Sequence, residues 1–326
     1  MDGLISIRDD VAVALARRAP VVALESTVIA HGLPRPHNLD TARKMEAVVR
    51  DLGATPATIG ILDGRMVVGL TNEQIAFLAE APDVAKVSRS DISAMLASGR
   101  PGATTVAATM FIAARAGIHV FATGGIGGVH RGSENTYDIS ADLTELSRTP
   151  VAVVCSGAKA ILDLPRTVEV LETLGIPVVG YGTNEFPAFY SRGSGLPLQH
   201  RVDSPDDVAR LIRIQWDLGS FGQGFSAGIV IVNPPPAESA LPRAEIESLV
   251  VSALEAAELA GIRGKSVTPF LLEKVGQRSR GKTLETNIAL LIANARLAAR
   301  IAVAYSAQDS RGRCVGQSLG TRLDLS

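Results

Sequence analysis

The sequence predicts an α/β protein of three layers, α/β/α, with a mixed, mostly parallel central sheet. Three observations carry that prediction. Short runs rich in Val and Ile recur along the chain and mostly stop at Gly or Asn, as strands buried on both faces do. Amphipathic helical patterns fill the intervals between them, the alternation of α/β layering. One interval holds only Asp63-Gly64, a hairpin signal, so the sheet contains an antiparallel pair.

The elements follow in chain order. "PVVALEST" is the first strong strand, and "DTARKMEAVVRDLG" is a helix closing on Gly53. "ATIGILDG" and "RMVVGL" form the hairpin, and "VAKVS" carries Lys86 near a strand end. "ATTVAATM" places Thr104 and Thr105 at a helix start, a capping or phosphate-binding arrangement. "HVFATGG", "VAVVCSG", "PVVGY" and "AGIVIVN" are buried strands. "SPDDVARLIRIQWDLG" opens with a Ser cap and a Pro at the first helical position. "RAEIESLVVSALEAAELAG" and Asn287–Tyr305 are the late helices. In the last, Arg296 and Arg300 lie four apart on one face, so the helix is amphipathic rather than membrane-spanning. No fixed-period repeat or long linker cuts the chain. Residues 1–305 therefore read as one domain and 306–326 as a polar, flexible tail.

Bulk properties narrow the function. A net charge of −1 over 326 residues provides no field for nucleic acid or an acidic membrane. Cys155 and Cys314 make no disulfide framework. Charges interrupt the N-terminal "MDGLISIRDDVAVALARRAP", which reads as neither signal peptide nor anchor. The expected location is the cytoplasm.

Chemistry in α/β proteins gathers where strands end. Lys159 sits in a turn of small residues, Cys155-Ser156-Gly157-Ala158, with no acid nearer in sequence than Asp163. Desolvation there lowers an ammonium's pKa and frees a nucleophilic amine, as a Schiff-base lysine requires. The alternative is a lysine snorkelling to water. Glu25 follows a buried strand directly, where a raised pKa suits a proton donor; a capping ion is the other reading. In "ATGGIGGVHRGSENTYDISADL", Gly124, Gly125, Gly127 and Gly128 suit close anion approach, or else a crossing of backbones. His130 and Arg131 add donors. Asp138 and Asp142 are oxygen ligands for Mg²⁺ or Mn²⁺, although Ser140 and Asp142 equally suit a helix cap.

"GQRSRGKT", Gly276–Thr283, satisfies the P-loop pattern and would make Lys282 a phosphotransferase residue. The preceding "TPFLLEKV" reads as helix where a P-loop needs a strand, so the match is coincidental. The histidines His31, His37, His119, His130 and His200 lack zinc spacing.

Taken together, "VVALESTVIAHGLPRP", "ATIGILDGRMVVGL", "KVSRSDI", "GATTVAATM", "FATGGIGGVHRG", "YDISADL", "VCSGAKAILD", "TPFLL" and "TNIALL" resemble the pseudouridine-5′-phosphate glycosidases, relatives of indigoidine-cluster A proteins. The resemblance spans about Ile7 to Tyr305 and leaves out the tail, details of "YSRGSGLPLQHR", and "SFGQGFS". It implies a cytosolic homotrimer with one Mn²⁺ per subunit, interconverting pseudouridine 5′-phosphate plus water with uracil plus ribose 5-phosphate. Residue by residue, it implies Lys159 as nucleophile, Glu25 as proton donor and Asp138 as metal ligand. It implies Lys86, Val106, Ser140, Ala141 and Asp142 as substrate contacts and Asn287 as the base-recognising residue. Thr105 and His130, within matched motifs, join the substrate-binding candidates. A C–C glycosidic bond has no heteroatom leaving group for an acid to protonate. An amine that opens the ribose and forms an imine, with an acid to protonate the uracil carbon, answers that need. The rival expectations are the phosphotransferase and a non-catalytic sugar-phosphate binding protein.

Overall fold

The apolar runs join in one eleven-stranded sheet in the computed structural model, which describes residues 3–220, 227–262, 264 and 267–319. The strands are β1 Ile5–Ile7, β2 Val21–Leu24, β3 Thr55–Leu62, β4 Arg65–Val68, β5 Ala85–Val87 and β6 Gly102–Thr104. They continue as β7 Val120–Ala122, β8 Ala152–Cys155, β9 Val178–Tyr181, β10 His200–Val202 and β11 Ile229–Val232. The sheet order is β1-β4-β3-β2-β7-β8-β11-β9-β10, with β6 paired to β3 and β5 to β6. Among the described strands only the β3–β4 and β3–β6 pairings are antiparallel; the first is the Asp63-Gly64 hairpin, with both turn residues at positive φ. The central parallel register sets Leu24 opposite Ala122 and Val154 opposite Ile231. All residues of β2, β8 and β11 are buried, because helices cover both faces.

The first helices are α1 Asp9–Ala16, α2 His37–Asp51, α3 Asn72–Glu80, α4 Ile92–Ser98, α5 Val106–Ala116 and the single-turn α6 Ser133–Thr136. They are followed by α7 Ala141–Leu146, α8 Leu164–Thr173, α9 Pro205–Ser220, α10 Arg243–Leu259, α11 Val267–Arg278 and α12 Lys282–Leu319. Helix α9 starts as its cap predicts: Asp207 N donates to Ser204 Oγ at 3.1 Å. Helix α2 closes on Gly53, whose positive φ turns the chain into β3.

Helix α12 lies against β2, β7 and β8 and packs on α2 and α9. Its segment Lys282–Gln308 is long and apolar enough to cross a membrane. Here it buries Leu290, Leu291, Leu297 and Ile301 in the core, each contributing about 1.5–3 kcal/mol, while Arg296 and Arg300 face outward. The helix runs beyond the expected Tyr305. Ser306 Oγ donates to the Arg18 carbonyl at 2.6 Å and Gln308 Nε2 to the Asp206 carbonyl at 3.1 Å. The expected flexible tail therefore begins as docked helix, and residues 320–326 lie outside the described residues. So do 221–226 of "SFGQGFS".

Candidate active site

Parallel strands bring their C-terminal ends to one edge of the sheet, and the polar residues after them meet there. Glu25 follows β2, Thr123 follows β7, and Ser156 to Lys159 follow β8. Of these, Glu25, Thr123 and Lys159 line a cavity of about 350 Å³. The residues that the family resemblance and its matched motifs imply for the site line this same cavity: Glu25, Lys86, Thr105, Val106, His130, Asp138, Ser140, Ala141, Asp142, Lys159 and Asn287.

Glu25 is 8% exposed and accepts a hydrogen bond from the Thr123 hydroxyl on Oε1. Burial raises its pKa above the ordinary carboxylate value, and the nearby charges of Lys159 and Lys86 and the Thr123 bond only partly oppose this. A buried carboxyl of that kind keeps its proton at a pH where an exposed one has lost it.

Lys159 is placed by a stitched turn. Its N–H donates to the Ile126 carbonyl at 3.1 Å, and Ile126 N donates to the Gly157 carbonyl at 3.0 Å. Gly157 has φ +84°, and a Cβ there would meet the Pro187 carbonyl oxygen at 2.3 Å. No side chain larger than hydrogen fits, which is why the turn before the lysine contains glycine. Neighbouring Cys155 is fully buried, and burial pushes its thiol up to about 12, so it stays protonated and unreactive.

Asp142 acts as an internal anchor. Its Oδ1 accepts from Ala107 N, at the start of α5, and its Oδ2 from Gly127 N, both at 2.8 Å. Ser140 caps α7, its Oγ accepting from Asp142 N at 3.3 Å, so the capping reading holds alongside its place in the cavity wall. Thr105 caps α5 through Ala108 N at 3.5 Å, and Val106 is the first residue of that helix. Lys86, in the middle of β5, places its charge near Glu25, His31 and His130.

Two parts of the expected anion cradle are used otherwise. Thr104 is wholly buried and donates its hydroxyl to the Ile59 carbonyl at 2.8 Å, outside the cavity. In the glycine loop, Gly127 gives its N–H to Asp142, and a Cβ on it would lie 2.2 Å from Ser140 Oγ. A Cβ on Gly128 would lie 2.4 Å from Thr167 Oγ1. At these two positions glycine makes room for the side chains of Ser140, Asp142 and Thr167.

The Asp138 side chain is 40% exposed, and its Oδ2 is 4.0 Å from His130 Nδ1. Burial lowers the His130 pKa, with Asp138 opposing. Among the described residues no three His, Cys, Asp or Glu side chains gather as a metal cage. One exposed carboxylate at the cavity wall fits a hard cation that keeps most of its waters, not a closed zinc site.

The P-loop match fails in space. Gly276–Thr283 spans the end of α11, a turn and the start of α12, with no strand before it. Lys282 lies outside the cavity and pairs with Glu245 at 3.2 Å.

Sequence reasoning missed Thr123, His31 and Asn294. Thr123 lay inside a quoted strand end with nothing to mark its partner. His31, on a π-helical turn Val28–Gly32, lines the cavity; burial, then Lys86, lowers its pKa. Asn294 is a wholly buried amide in an otherwise apolar helical stripe, and that mismatch is the one signal the sequence offered.

Comparison with known proteins gives the chain its family. In Caldanaerobacter subterraneus subsp. tengcongensis, a pseudouridine-5′-phosphate glycosidase is 54% identical over 303 residues, covering 93% of this chain and 97% of the relative. A protein of the same name from Herpetosiphon aurantiacus is 56% identical over 295 residues, covering 90% and 96%. The crystal structure of the prealnumycin C-glycosynthase AlnA in complex with ribulose 5-phosphate superposes with a TM-score of 0.87 at 40% identity, covering 95% of this chain and all of that one. An indigoidine synthase A-like protein of Thermotoga maritima gives 0.83 at 39% identity, covering 93% and 97%. The family described as indigoidine synthase A like protein matches residues 10–304, and the chain belongs to that family.

Proposed function

We propose that this chain is a pseudouridine-5′-phosphate glycosidase, cleaving the C–C glycosidic bond reversibly to uracil and ribose 5-phosphate. One observation carries the reading: a buried carboxyl with a raised pKa and a turn-held lysine line one nucleotide-sized cavity. The names of the relatives support the substrate.

The residues divide the work. The Lys159 amine displaces the ring oxygen at C1′, and that oxygen takes up the proton the nitrogen loses. Glu25 delivers its proton to C5 of uracil. As the C1′–C5 bond breaks, the nitrogen lone pair forms the C1′=N bond and uracil departs. Water hydrolyses the imine, releasing ribose 5-phosphate and restoring the amine and the acid. Asp142 holds the starts of α5 and of the 127 loop in place around the sugar. Lys86 pairs the 5′-phosphate, and Asn287 reads the base from α12. Asp138 is the residue to hold Mn²⁺, which would supply charge neutralisation on the phosphate and sugar side. The proposed setting is a cytoplasmic homotrimer acting on a small molecule, without nucleic acid or membrane.

Purified protein incubated with pseudouridine 5′-phosphate and Mn²⁺ is expected to release free uracil, measured chromatographically. EDTA is expected to stop release and Mn²⁺ to restore it. Ligand binding without uracil would instead support the non-catalytic binding protein, and unchanged turnover in metal-free protein would remove Mn²⁺ from the proposal.

A further inference from the structure

The acid of this site is held by a hydroxyl on the neighbouring strand end. Thr123 is fully buried, lines the cavity and donates from Oγ1 to Oε1 of Glu25. Its backbone is pinned on both sides. Thr123 N donates to the Val154 carbonyl at 3.0 Å, and the Thr123 carbonyl accepts from Asn294 Nδ2 at 2.8 Å. The same Nδ2 donates to Ser156 Oγ at 3.1 Å, and Asn294 Oδ1 accepts from Asn233 Nδ2 at 3.0 Å. One buried amide on α12 thus ties the ends of β7, β8 and β11, and through Thr123 the orientation of Glu25.

We infer that Thr123, held by Asn294, is a positioning residue that assigns the transferable proton of Glu25 to Oε2. The inference rests on Glu25 being the proton donor of the reading above. An oxygen that already accepts a hydroxyl proton is the poorer place for a second proton, so the acid proton resides on the other oxygen. On transfer, that proton leaves Oε2 for C5 of uracil, and the bonding electron pair stays on Glu25 as carboxylate. The Thr123 bond then becomes charge-assisted and stronger. It stabilises the charge that develops on the acid more than it stabilises the neutral ground state. The charges facing Glu25 are Lys159 and Lys86, which favour its carboxylate, and Asp142, which opposes it. A change at position 123 leaves all three in the chain.

The test is the pH dependence of kcat for uracil release in Thr123→Val, Thr123→Ala and Thr123→Ser. Activity that needs protonated Glu25 falls as pH rises through its pKa. Loss of a donor to the carboxylate raises that pKa, so the upper limb is expected to move to higher pH in the Val and Ala variants, by about one unit. At neutral pH kcat is expected to fall ~10-fold with KM within ~3-fold, the signature of an interaction made mainly in the transition state. Thr123→Ser keeps the donor and is expected to restore the wild-type limb. Thermal melts identify which variants fold, and the Ala variant serves if the Val variant does not. An unmoved limb in a folded, active Val or Ala variant overturns the inference, as does a Ser variant that shifts like them. Asn294→Ala is expected to move the limb in the same direction; an unmoved limb there removes Asn294 from the assignment. Absence of uracil release from the unaltered protein defeats the functional reading itself, which separates the two failures.

Discussion

Glu25 has a raised pKa because the fold buries it, and this has a consequence for stability. The folded state holds the Glu25 proton more tightly than the unfolded chain does. Stability is therefore lost as pH climbs above the ordinary carboxylate range. Glu25→Gln removes that loss while removing the acid. The variant is expected to melt higher than the unaltered protein at about pH 8, with the gap narrowing toward about pH 5. Its uracil release is expected to fall at least ~100-fold. Calorimetry across pH, beside the activity assay, checks both. A variant that melts lower throughout would show that the Thr123 bond and Lys159 outweigh desolvation. For Lys159 the expectation is a covalent one. Ribose 5-phosphate alone should load the enzyme, and borohydride should trap a ribose-phosphate unit less water plus two hydrogens on Lys159. Lys159→Arg, which stays protonated, should fold yet give neither adduct nor turnover. An adduct mapped to Lys86 would exchange the roles of the two lysines.

The loops after β7 and β8 act together as one element. Ile126 N to the Gly157 carbonyl and Lys159 N to the Ile126 carbonyl join them, and Asp142 grips Gly127 from α7. Gly127 is the tightest point: a Cβ there would lie 2.7 Å from Asp142 Oδ2 as well as against Ser140. Gly127→Ala is expected to cost about 1–3 kcal/mol of stability by overpacking. It should also lower turnover out of proportion, because the loop that carries the lysine must shift. Denaturant midpoints beside kcat decide the matter; a variant with native stability and native kcat would show that the loop yields without cost.

At the scale of the whole molecule, the cavity draws on segments far apart in sequence. Its lining runs from Glu25 and Thr27 through Lys86 to Asn287 and Leu291, with Thr268, Pro269 and Leu272 of α11 added. A site built this way holds its ligand at several distant points, and binding energy from a non-reacting end is normally used to place the reacting carbon. Unphosphorylated pseudouridine is thus expected to react at least ~100-fold more slowly in kcat/KM than the 5′-phosphate, about 2.7 kcal/mol of transition-state binding. Comparable values for nucleoside and nucleotide would contradict the placement of Lys86 at the phosphate.

Much of this molecule was determined by the sequence alone. Runs such as "VVAL", "AVVC" and "IVIV" have no polar face, so they specify strands covered on both sides, and Asp63-Gly64 specifies the hairpin. Long motifs in order marked Glu25, Lys159 and the other cavity residues. Of the three-residue strands, β5 and β7 showed within longer apolar runs, whereas β1, β6 and β10 stayed hidden because alternation needs a longer run to show. Tertiary structure decided what local sequence leaves open, namely the partner of each polar group. Thr104 and Thr105 are neighbours of similar chemistry, yet one spends its hydroxyl in the core and the other lines the cavity. Thr123 gains its meaning only from Glu25, 98 residues away, and Asn294 only from Thr123, Ser156 and Asn233. Desolvation is a property of the folded interior, so the choice between a proton donor with raised pKa and a capping ion at Glu25 was made only once the chain had closed around it.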